Sequence, residues 1–110
     1  MTIGGASGSK AVDTTSDEGF FKRADAHIDV ANAQLADTSR GKVSASLMYA
    51  TARFNAWVTA CTADSGEDLR SHREESIEYF VAQYRKVLEE NIDDYIANFA
   101  RFMQREGDGA

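Results

Sequence analysis

The sequence predicts an all-α protein: a helical hairpin followed by a long third helix, a three-helix bundle that assembles as a dimer. Three observations carry this expectation. The chain of 110 residues contains no proline, and most of its eight glycines lie near the ends, so little interrupts a helix. Apolar residues recur in steps of three and four along three consecutive stretches. The last of those stretches is too long for the first two to cover.

Residues 1–15, MTIGGASGSKAVDTT, are rich in Gly, Ser and Thr and lack any period, which predicts a flexible leader ahead of a single helical domain over 16–106. The first helix is expected to begin near Ser16, where Thr15 and Glu18 have the spacing of a capping box. Phe21, Ala24, Ile28, Ala31 and Leu35 then form one apolar stripe. Asp37, Thr38 and Ser39 end that helix and can cap the next. The second helix, about 40–62, places Val43, Leu47, Ala50, Phe54, Trp57 and Cys61 on its stripe. Met48, Ala52, Ala56, Val58 and Ala60 extend its apolar surface around most of the circumference, which predicts the central helix of the core.

Asp64 and Glu67, again at capping-box spacing, introduce a third pattern over about 66–105 that holds no proline and no glycine after Gly66. Its stripe is Ile77, Phe80 with Val81, Tyr84, Leu88, Ile92, Tyr95, Phe99 and Phe102, opposite a charged face. An unbroken helix of this length spans roughly 60 Å, against roughly 30–35 Å for each of the first two. Ile92, Tyr95, Ile96, Phe99 and Phe102 therefore need cover from elsewhere. Either the helix bends back or a second chain supplies that cover. The absence of a breaker favours a homodimer through the C-terminal half of this helix. Glu106 to Ala110 read as a stop followed by a frayed tail over 107–110.

Composition narrows the function. At 43% hydrophobic and 27% charged the chain has globular balance. Its formal charge of −6 repels phosphate backbones and anionic lipid, so neither nucleic acid nor a membrane is an expected partner. No window approaches the roughly 18 apolar residues of a membrane span. The acids are unevenly placed: residues 37–63 carry Arg40, Lys42 and Arg53 against Asp37 alone, whereas 66–106 carry ten acids against six bases, a pattern that predicts pairing between helices. With a lone cysteine and no secretory leader pattern at the start, a cytoplasmic location is expected.

Three stretches carry a resemblance: Arg23 through Asn32 (RADAHIDVAN), Gly41 through Ala56 (GKVSASLMYATARFNA), and Glu78 through Tyr95, with its Tyr84-Arg85-Lys86 and Asn91-Ile92-Asp93-Asp94-Tyr95 segments. Over roughly residues 18–100 the chain resembles a family of small proteobacterial proteins catalogued only as a domain of unknown function. The resemblance implies a bacterial, cytosolic protein and brings no activity, ligand or catalytic residue with it.

The candidate sites are few. Neither His27 nor His72 has Glu three residues before it, so the paired motif of a di-iron bundle is absent. Asp68, His72 and Glu75 can share a helix face, but a solvated histidine among helix-terminal charges is the simpler account. Glu89, Glu90, Asp93 and Asp94 read as a solvated face, because a regular helix hides the carbonyls a calcium site uses. Cys61, on the stripe with Phe54 and Trp57, is expected to be a buried, inert core residue. Ser39 to Lys42 open a helix where an anion can sit, or where a cap is followed by bases that pair with neighbouring acids. Arg53 and Asn55 fall within the most apolar segment, so burial would require partners such as Asp25 or Asp29. With Tyr49 they could instead line a small polar pocket. No catalytic, metal or cofactor-binding residue is expected. The role predicted is a non-catalytic interaction or scaffold module acting as a homodimer, with a further protein partner open; the alternative is a small-ligand or metal-binding bundle.

Overall fold

The computed structural model describes residues 17–104, which form five α-helices: α1 (Phe20–Gln34), α2 (Arg40–Ala60), α3 (Gly66–Ser71), α4 (Arg73–Ala97) and α5 (Phe99–Met103). No strand occurs among the described residues, so the all-α expectation holds. The leader over 1–15, its Thr15 cap and the tail over 107–110 lie outside the described residues. The chain divides between Ser71 and His72 into two compact units.

In the first unit α1 and α2 pack as the expected hairpin. Asp17 shapes the start of α1. Its carboxylate accepts the Gly19 N–H at 3.1 Å and pairs with Arg23, which ties the turn to the first helical residues. Phe20, Ala24 and Ala31 are the half-covered positions of α1, while Phe21 is exposed and meets Phe20 edge to face. The stripe is thus rotated by one residue at its start from the one expected.

Ser39 caps α2 as anticipated: extended at φ −80° and ψ 159°, it accepts the Lys42 N–H on its hydroxyl at 3.3 Å. The central role expected for α2 is not seen. Val43 is the one buried hydrophobic side chain among the described residues, Trp57 and Val58 are half-buried, and Phe54 remains 40% exposed against Trp57. A helix apolar over most of its circumference needs neighbours on several sides, and α1 covers one.

The third pattern is not one helix. Ser65, not Asp64, caps α3 by accepting the Asp68 N–H at 3.0 Å, and Asp68 reaches back to the Asp64 N–H at 2.9 Å, a capping arrangement shifted by one residue. After six residues α3 ends at Ser71, whose hydroxyl donates to the Asp68 carbonyl at 2.7 Å, and His72 takes φ −108°, ψ 9°. The second break falls at Asn98, at φ −121° and ψ 28°. Its amide donates to the Asp94 carbonyl at 3.1 Å and to the Asp94 carboxylate at 3.0 Å. Short polar side chains that bond the backbone offer the chain an alternative to helix propagation. That is how α4 is bounded at both ends without glycine or proline.

Replacing Ser39 by Ala is expected to remove about 1 kcal/mol of stability by leaving the Lys42 N–H without its cap. Denaturant unfolding should show a lower midpoint at unchanged slope; an unmoved midpoint would show that the cap contributes nothing.

Candidate functional site

In the second unit α4 carries 25 residues, a length of roughly 37 Å. Its apolar positions recur so as to stay within one face: Ile77, Phe80, Tyr84, Leu88, Ile92 and Tyr95. Apart from half-buried Phe80 these side chains are exposed, Tyr84 at 55% and Ile92 at 51%. Val81, beside the stripe, is 60% exposed. The exposed apolar surface therefore includes the N-terminal half of the helix as well as the C-terminal half. The sequence already held the signal for this, since the period runs evenly through both halves.

Charges in register flank and back the apolar row of α4: Arg85 and Glu89 lie beside it, Lys86 and Glu90 opposite it. Arg85 pairs with Glu89 at 3.0 Å and Lys86 with Glu90 at 3.4 Å, both one turn apart and both solvent-exposed. Exposed pairs of this kind contribute about 0.3–0.5 kcal/mol each, so they orient the polar face more than they stabilise it. Asn91 interrupts the apolar side, and its amide donates to the Val87 carbonyl of the same helix at 2.8 Å, so that donor is met within α4.

Beyond Asn98 the expected dimer face changes direction. Ile92, Tyr95 and Ile96 belong to α4, Phe99 and Phe102 to α5, and all five are exposed. The turn brings the Phe102 ring to 4.9 Å from that of Tyr95, nearly edge to face, and the Arg101 guanidinium lies over the Phe102 ring, 4.6 Å from its centre. Contacts of this type add roughly 0.5–1.5 kcal/mol beyond area burial. They close the end of the stripe.

The remaining candidates are placed as follows. Tyr49 is 69% exposed, Arg53 is exposed and Asn55 is half-buried. Two residues along a helix turn the chain through about 200°, so Arg53 and Asn55 leave α2 on nearly opposite sides and do not converge within one chain. Arg40, Lys42 and Arg53 make no ion pair among the described residues, contrary to the pairing between helices expected from charge. The Ser39 hydroxyl already occupies one of the free N–H groups at the α2 N-terminus. Among the acids of α4, Glu89 and Glu90 are paired and Asp94 accepts from Asn98. Among the described residues no three His, Cys, Asp or Glu side chains are grouped so as to hold a metal ion. Cys61 is exposed, which corrects the expectation of a buried thiol: it follows the last residue of α2, at the turn that ends the helix.

No described helix is long and apolar enough to cross a membrane. Residues 20–96 match a family described as protein of unknown function (DUF3144). Among solved structures, an NMR structure of the protein NB7890A from Shewanella sp is similar, at 33% identity and a TM-score of 0.67, over 84% of this chain and 99% of that one. No curated protein matches.

Two outcomes test these placements. Cys61 in the native protein should react with a thiol reagent at the rate of a free cysteine, and strong protection would mean that its surface is covered. Arg53→Met should change unfolding stability by less than about 1 kcal/mol, the range of an exposed charge; a larger loss in a denaturant melt would reveal a buried partner.

Proposed function

Because the chain belongs to the DUF3144 family, whose function is unknown, we propose its role from its own surface: a non-catalytic helical interaction module that acts as a homodimer in the bacterial cytoplasm. The observation that carries this reading is the exposed apolar stripe along α4, continued by Phe99 and Phe102 on α5. Covering a large apolar side chain stabilises by about 1.5–3 kcal/mol, so a stripe of this extent is a strong drive to association. Contiguous apolar surface on that scale marks interaction sites in soluble proteins. A second copy presents the same stripe, and a two-fold pair is the commonest closed arrangement. The acidic charge of −6 directs the surface towards protein rather than nucleic acid or anionic lipid. The Shewanella origin of the similar NMR structure supports the bacterial setting.

Within this reading the C-terminal residues Ile92, Tyr95, Ile96, Phe99 and Phe102 belong to the dimer face. Light scattering at micromolar concentration should give a mass near twice the 12.1 kDa of one chain. Ile92→Glu combined with Phe99→Glu should give a monomer, or a chain that no longer folds. A wild-type mass of 12.1 kDa would end the dimer reading.

A further inference from the structure

We infer that α4 pairs with α4 of a second copy in antiparallel orientation, with the two-fold axis crossing the stripe at the level of residue 86. This rests on the homodimer reading and adds to it an orientation and a register.

The first support is the pattern of the stripe. The break at Asn98 ends the straight part of the helix, which leaves Ile77, Phe80, Tyr84, Leu88, Ile92 and Tyr95 as its apolar row. The steps between them are three, four, four, four and three, so the row reads the same in both directions. Reversed on itself about position 86, it sets Ile77 opposite Tyr95, Phe80 opposite Ile92 and Tyr84 opposite Leu88 of the second copy. A row that maps onto itself under reversal is the self-complementarity that a two-fold interface requires. A register centred in the C-terminal half would instead run each helix past the Asn98 break of the other.

The second support is charge. Glu89, Glu90, Asp93 and Asp94 lie within six residues, with no base among them. A parallel pair would set this stretch beside the same stretch of the second copy. The antiparallel pair sets it beside residues 78–83, where Glu78 is the one charge. Arg85 and Glu89, joined within each chain at 3.0 Å, then stand on either side of the axis, and each comes near the opposite charge of the second copy. Opposed helix dipoles favour the same orientation.

The test uses the full chain carrying Cys61→Ser and a single spin label, on Lys86→Cys in one sample and on Ala97→Cys in another. Both positions are exposed and lie on the side of α4 away from the stripe. Labels at 86 have no offset along the axes, whereas labels at 97 are displaced by roughly 30 Å along them. Pulsed electron spin resonance should therefore give a distance at 97 longer than that at 86 by more than about 10 Å. Equal distances would establish a parallel pair, and a longer distance at 86 a different face or register; either overturns the inference and leaves the dimer. Absence of any inter-copy distance at both sites, with a mass of 12.1 kDa, would overturn the dimer itself. Glu89→Arg supplies an independent arm. It should raise the dimer dissociation constant by about threefold or more, and adding Arg85→Glu should restore it. Unchanged or tighter dimerisation by Glu89→Arg alone would overturn the antiparallel pair.

Discussion

Apolar side chains placed at helical spacing need a second surface to exclude water, and the helices of this chain supply each other with less of that surface than their stripes demand. Val43 is the one buried hydrophobic side chain among the described residues, while Phe21, Ile28, Met48, Val81, Ile92 and Phe99 all stay largely exposed. The net stability of a small domain is a narrow difference between burial and conformational entropy, so uncovered apolar rows on this scale govern everything else about the molecule. The hairpin of α1 and α2 covers one side of each helix, and the row of α4 is exposed along most of its length.

The breaks at His72 and Asn98 decide what that row looks like. Without them, one helix of about 40 residues would carry a stripe with no natural centre. With them, α4 is a rod of 25 residues whose apolar row is symmetric end to end and whose far end is closed by Phe102 folding against Tyr95. Both breaks are built from ordinary polar chemistry. Ser71 and Asn98 bond carbonyls within the preceding turn and so compete with the next helical hydrogen bond. The positions that shape the candidate interface are thus polar residues beside it rather than apolar residues in it.

The chemistry-bearing side chains are dispersed. Arg53 and Asn55 leave α2 on different sides, Glu89, Glu90 and Asp94 of α4 are engaged by Arg85, Lys86 and Asn98, and Cys61 lies at the surface beyond the end of α2. What α4 concentrates in one place is apolar area with a charged border. The similar Shewanella structure agrees with the fold, and the role is left to be argued from this surface.

The sequence by itself determined the helical class, the α1–α2 hairpin, the Ser39 cap and the period of the α4 row, because each depends on residues within a turn or two of one another. The absence of proline and the three-and-four spacing of apolar residues are local facts, and local hydrogen bonds act on them directly. The tertiary structure decided which rows are covered. Phe20 rather than Phe21 turns towards shelter, Cys61 lies exposed although it continues an apolar stripe, and Val81 is left as open as Ile92. It also decided where the third pattern ends, since nothing in the spacing of its apolar residues marks Asn98. Burial depends on what lies across the gap from a side chain, and hydrophobic spacing records only that something must.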